Sequence, residues 1–185
     1  MAGGDWTPAE LGTSTLTAWF KADSISGSDG DAVSAWADSS GNSNNTAQAT
    51  SARQPTLQTN EVGSQSVVRF DGTNDILSDG DIAALDVGTG DIWMACLFKS
   101  TDDSGVQFMF EKGISSFALM TTAAGVLQAR LGGTTNIPEQ SAGNWSRTDF
   151  VMVTASRVSA TCNGFVNGSS MTTTGTTNTG SISNS

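Results

Sequence analysis

The chain contains no histidine, and this absence removes several functional classes at once. A Ser-His-Asp triad, a Cys-His nucleophile pair and a His-ligated zinc centre each need an imidazole. Basic residues are also few: eight Lys and Arg stand against eighteen Asp and Glu, a net charge of −10. Nucleic-acid affinity rests on Lys and Arg displacing counterions from phosphates, so nucleic acid is excluded as a main partner. The same acidity argues against docking on anionic lipid. There are two cysteines, Cys96 and Cys162, and no CxxC or CxxH spacing, so redox and zinc motifs are missing. Each lies in an apolar-flanked strand pattern, which reads as a small buried hydrophobe in a reducing cytoplasm, with a cross-strand disulfide as the alternative. No apolar run reaches the length of a membrane span, so no membrane insertion is expected. The opening Met1-Ala-Gly-Gly-Asp-Trp-Thr-Pro lacks the basic and apolar regions of a signal peptide, which leads to the expectation of a chain made and folded in a cytoplasm.

What remains is rich in Ser, Thr, Asn and Gly. Apolar residues make up 37%, and with 21 glycines among 185 residues the sum falls in the ordinary globular range. No linker composition divides the chain, so a single domain over residues 1–170 is expected, followed by an exposed, low-complexity Thr/Ser/Gly-rich tail over 171–185. Short runs bounded by Gly, Asn, Asp or Ser read as strands at 15–22, 33–38, 66–70, 92–99, 106–111, 117–122, 126–131, 149–158 and 161–166. Thr7-Pro-Ala-Glu10 and Asp81-Ile-Ala-Ala-Leu85 read as brief helical turns, with Thr7 as cap and Pro8 in the first turn. Asn167-Gly168 is a strong two-residue hairpin turn. Such even spacing of short strands means an all-β sandwich.

Several of these segments carry a family resemblance. Leu16-Thr-Ala-Trp19, Val33-Ser-Ala-Trp-Ala-Asp-Ser-Ser-Gly-Asn42, Pro55 and Val67-Val-Arg-Phe-Asp-Gly-Thr-Asn-Asp-Ile-Leu77, in that order, resemble the laminin-G-like branch of the concanavalin A-like lectin/glucanase superfamily. The likeness continues more weakly to Phe165-Val-Asn-Gly168. It implies a jelly-roll β-sandwich of two antiparallel sheets. After Phe165-Val-Asn-Gly168 the remaining residues offer only Met171 and Ile182 as large apolar side chains, so the sandwich reads as one closing strand short. The resemblance says less about function, because the superfamily includes lectins, glycosidases, adhesion modules and phage virion proteins. Together with the missing signal peptide it implies a non-catalytic virion structural protein: a capsid decoration or a fibre or tail accessory, assembled in the host cytoplasm and displayed on the virion surface. Its expected partners are other virion proteins or copies of itself, and surface glycans. The alternative is a free carbohydrate-binding module or adhesin.

Three kinds of site were weighed on the residues. Glycosidases of this fold use two carboxylates flanking the scissile bond, commonly alternating on one strand. Here Glu10, Glu61, Glu111 and Glu139 are scattered, so no catalytic residue is assigned. The densest acidic stretch, with Asp71, Asp75, Asp79 and Asp81, offers weak Ca²⁺ candidates. Its spacing does not match an EF-hand loop, and Asp71 and Asp75 read rather as Asx-type caps of a tight turn. A sugar needs an exposed aromatic ring beside amides or carboxylates. Asn144 and Trp145, at the end of a turn, are the ligand-binding candidates, although a Trp before this strand fits a core position better. Trp19 and Trp36 read as core. Trp93 lies opposite Ile92, Met94, Cys96 and Phe98 in strand parity, so both faces of that strand are apolar: it is either covered on both sides or part of an interface.

Overall fold

The computed structural model describes residues 8–12, 15–101, 105–112, 116–133 and 137–182. It is all-β, 40% strand and 7% helical, with several antiparallel sheets and no barrel, an arrangement compatible with a β-sandwich. The chain falls into two compact units, Met1–Ile82 and Ala83–Ser185. The second unit includes the segment 171–182.

In the first unit, short 3-10 turns at Pro8–Leu11, Ala22–Ser24 and Ser51–Arg53 alternate with β1 (Ala35–Trp36), β2 (Thr46–Ala47), β3 (Thr56–Val62) and β4 (Gln65–Arg69). Pro8 opens the first turn, as its fixed φ favours, whereas Thr7 lies outside the described residues. β1 pairs with β2, and β3 forms a bulged hairpin with β4. Asn60 takes a left-handed φ of 58° within the irregular stretch between Gln58 and Val62. The strand expected over 15–22 does not form. Its carbonyls are taken by side chains instead: Asn42 Nδ2 donates to Leu16 O (2.7 Å), Asn44 Nδ2 to Thr17 O (2.8 Å) and Trp36 Nε1 to Lys21 O (2.9 Å). Backbone satisfied in this way has no need of a partner strand.

The second unit opens with a 3-10 turn at Ala83–Leu85. It continues through β5 (Ile92–Phe98), β6 (Gln107–Lys112), β7 (Phe117–Thr121), β8 (Leu127–Leu131), β9 (Glu139–Gln140), β10 (Val151–Val158), β11 (Thr161–Val166), β12 (Ser169–Ser170) and β13 (Thr176–Thr177). One sheet runs β12-β11-β10-β5, with β13 also paired to β11; the other runs β6-β7-β8-β9. Every pairing is antiparallel. The core joins Met94, Val151, Val153, Ala155 and Cys162 of the first sheet to Phe117, Leu119, Leu127, Ala129 and Leu131 of the second. Strand alternation produces this division, since residues two apart share a face.

The segment after Gly168 is anchored at two apolar points, Met171 at 3% exposure and Ile182 fully buried, while Thr172, Thr173, Thr177 and Ser181 between them are exposed. β12 and β13 both pair with β11, and Ile182 exchanges backbone hydrogen bonds with Gly88. Gly164 makes the return possible: a Cβ there would lie 2.6 Å from both Met171 Sδ and Pro138 Cβ. Two apolar residues suffice because each enters a core already built by the other strands.

Candidate functional site

The motif that carries the family resemblance is a polar brace. Asp38 Oδ1 accepts hydrogen bonds from the N–H groups of Trp19 (2.9 Å) and Ser40 (2.8 Å), and its Oδ2 from Ser40 Oγ (2.7 Å) and Asn44 N–H (3.0 Å). Burial alone would push this carboxyl up, but the hydrogen bonds from Ser40, Trp19 and Asn44 together hold it below its ordinary value of 3.8. Trp19 and Trp36 are half-buried beside the brace; Lys21 Nζ lies 4.8 Å from the Trp19 ring centroid, and Trp36 stands edge-on to Phe20. All four acceptor sites of Asp38 face inward on the chain's own groups, so the motif organises the loop.

Among the Ca²⁺ candidates, Asp71 and Asp75 are brought together and turned onto backbone. Asp71 Oδ1 accepts the N–H groups of Thr73 (2.8 Å), Asn74 (3.1 Å) and Asp75 (3.3 Å), while Asp75 Oδ2 accepts the Asp71 N–H (2.9 Å). The Thr73 and Asn74 N–H groups lead in holding the Asp71 carboxyl below its ordinary value. This is the Asx-type cap that the spacing predicts. Among the described residues, Asp79 and Asp81 included, no three His, Cys, Asp or Glu side chains converge as a metal would require. Of the scattered glutamates, Glu61 pairs with Arg69 (3.0 Å), and Glu139 accepts a hydrogen bond from Gln128.

Asn144 and Trp145 separate. Asn144 is exposed on a turn, its carbonyl accepting from Gln140 Nε2 (3.0 Å). Trp145 is only 8% exposed and belongs to the core. Its Nε1–H donates to Gly125 O (3.1 Å), its ring lies 6.0 Å from that of Phe98, and the Arg147 guanidinium is 5.3 Å from its centroid. A ring so enclosed sits in the core position that the sequence favoured over a sugar platform.

The open aromatic is Trp93. β5 lies at the end of its sheet rather than in the middle, and Trp93 is 51% exposed. The register builds the surface around it. Across the outer face run the rows Trp93, Ser156, Asn163 and, one pair-step on, Ala95, Thr154, Phe165. Leu97 and Met152 form the next row, and Val158 closes the other end. Leu97, Met152, Val158 and Phe165 are each more than a third exposed. The inner residues of the same strands, Met94, Val153, Ala155 and Cys162, are buried. The sheet therefore buries one apolar face and leaves a second open. The sequence signal for it was the apolar parity on both sides of 92–98; which side stays open was decided by the packing of Met94 and its inward neighbours against the β6-β7-β8-β9 sheet.

A second residue outside the sequence candidates is Arg157, fully buried on β10 at the inward parity of Val151, Val153 and Ala155. Its guanidinium is held by backbone carbonyls: Nη1 donates to Leu131 O (2.6 Å) and Gly180 O (2.7 Å), Nη2 to Gly88 O and Gly90 O (both 2.7 Å), and Nε to Gly90 O (3.0 Å). It thus ties the end of β8, the approach to β5 and the C-terminal segment to one strand. Room for it depends on Gly132, where a Cβ would meet Arg157 Nη1 at 2.1 Å. The two cysteines are free thiols. Cys96 pairs with Val153 and Cys162 with Arg157, on strands flanking β10 and four residues apart along it. Two strand spacings alone separate them by about 10 Å, beyond the reach of a disulfide. Burial raises both thiols, Cys96 to about 12, while the nearby Arg157 charge pulls Cys162 partly back.

No family model matches this chain, and neither a curated protein nor a solved structure matches it.

Proposed function

We propose that the chain is a non-catalytic structural protein of a virion, a capsid decoration or a fibre or tail accessory. In this reading it displays a lectin-like sandwich of jelly-roll, concanavalin A-like type, akin to laminin-G-like domains, at the particle surface. The observation that carries the reading is the open outer face of the β12-β11-β10-β5 sheet, on which Trp93, Leu97, Met152, Val158 and Phe165 are exposed together. Isolated exposed apolar residues are ordinary, but a group on one sheet face marks a surface made to be covered. The residue chemistry supports binding rather than turnover: the polar constellations around Asp38 and Asp71 are spent on backbone turns. The partners in this proposal are other virion proteins, copies of the chain, and surface glycans, with no resident cofactor.

The test is where the protein is found. Particles purified from the source culture on a density gradient should carry the chain in stoichiometric amount by mass spectrometry, and antibody against it should decorate intact particles. Recovery wholly outside the particle fraction would overturn the virion setting and favour the second reading, a free carbohydrate-binding module or adhesin, which the exposed Trp93 ring also suits.

A further inference from the structure

We infer that the outer face of the β12-β11-β10-β5 sheet binds an uncharged glycan, with Trp93 as its stacking platform and Ser156, Asn163 and Thr154 as its hydrogen-bonding groups. The inference deepens the lectin-like part of the proposed function and rests on it.

The chemistry of the face selects the occupant. Trp93 and Phe165 are the two exposed rings, separated by two strand spacings and one pair-step, about 12 Å. Between them every outward position is small or carries an uncharged donor or acceptor: Ala95, Thr154, Ser156 and Asn163. The side chains of Thr154, Ser156 and Asn163 are engaged by no hydrogen bond among the described residues. An apolar protein surface laid over them would strand two hydroxyls and an amide without partners, at about 1–3 kcal/mol each. A saccharide meets both demands at once. Its C–H face lies on an aromatic ring, and its equatorial hydroxyls reach the polar row beside the ring.

Charge narrows the class. No Asp, Glu, Lys or Arg occupies the rows of Trp93, Ala95 or Leu97; the nearest charges on this face stand at the two ends of β5, Asp91 and Lys99. There is thus no cation to pair with a sulfate, sialate or uronate, and a chain of net charge −10 repels such ligands. Nor is there a carboxylate to hold a bridging Ca²⁺, so the binding is independent of calcium.

The experiment is a glycan array of neutral and acidic oligosaccharides, read with and without EDTA, followed by titration calorimetry on the best neutral ligand. Wild type should retain neutral glycans in EDTA and ignore their acidic counterparts. Trp93→Ala should weaken binding about tenfold or more, and Ser156→Ala with Asn163→Ala by a smaller factor, with the fold retained and only a small fall in melting temperature because all three side chains are partly exposed. Retention of glycans with undiminished affinity by Trp93→Ala, loss in EDTA, or preference for acidic glycans would overturn this site while leaving a lectin-like role intact. Absence of binding to any glycan would overturn both. Should wild type prove oligomeric in ultracentrifugation and Trp93→Ala monomeric, the face is a contact between copies of the chain, and the glycan is refuted as its occupant.

Discussion

Replacing Arg157 by Met should unlock the C-terminal segment of the second unit. The guanidinium makes five hydrogen bonds to four carbonyls with no exposure to solvent. Gly88 O retains the Ile182 N–H as a donor at 2.8 Å, so the losses fall on Leu131 O, in a fully buried residue, and on the part-buried Gly90 O and Gly180 O. A buried acceptor left unsatisfied costs about 1–3 kcal/mol, and the two part-buried ones, which water can reach, cost less. Methionine fills much of the volume and no longer requires a charge to be desolvated, which offsets part of that cost. The expected net loss is about 2–4 kcal/mol, or about 10–30 °C in melting temperature for a unit of this size. Urea unfolding would give the free energy. Amide exchange would locate it, with the mutually bonded Gly88 and Ile182 amides losing protection first. Arg157→Lys should fall between the two, because an ammonium cannot span four carbonyls. Stability of Arg157→Met within about 0.5 kcal/mol of wild type, with Ile182 still protected, would refute the account.

Three further outcomes follow from particular residues. The β10–β11 hairpin turns through Ser159 and Ala160 at φ 49° and 66°, left-handed angles that cost a residue bearing a Cβ about 1–2 kcal/mol, so Ala160→Gly should stabilise the second unit by about 1 kcal/mol in urea titration. Cys96 and Cys162 should resist a thiol-specific reagent at pH 8 and react only on unfolding. Because the folded thiols sit above the ordinary 9.0, the unfolded chain ionises first, and stability should fall as pH rises from about 9 towards 12, by about 1.4 kcal/mol per unit for Cys96; a flat profile, or one unchanged in Cys96→Ala, would contradict this. Asp38 is shifted the other way, so its contribution is present above 3.8 and lost as acid protonates it. Asp38→Asn should cost about 1–3 kcal/mol at neutral pH in the unfolding of the first unit, followed by Trp19 and Trp36 fluorescence, and should lessen that unit's acid sensitivity.

The sequence by itself determined the fold class and most of the strands of the second unit. The reason is physical: β10 sets Val151, Val153 and Ala155 on one side and Thr154 and Ser156 on the other, β5 is a short apolar run of strand length, and Asn167-Gly168 dictates the hairpin between β11 and β12. The turn role of Asp71 was equally local, since its bonds reach no further than four residues. Long-range pairing decided the rest. Whether 15–22 became a strand depended on Asn42, Asn44 and Trp36 reaching its carbonyls from across a loop. Where the Thr-rich segment is anchored depended on Gly164 leaving room for Met171, and on Arg157 holding Gly180. Trp145 and Trp93 show the same limit most directly. Trp145 reads better as a core residue than as a platform, whereas the parity of Trp93 allows either a covered strand or an interface. Trp145 is buried because Gly125 and Phe98 close over it, and Trp93 is open because its strand turns the Met94 side onto the β6-β7-β8-β9 sheet, conditions set by residues distant in sequence and therefore readable only once the chain is folded.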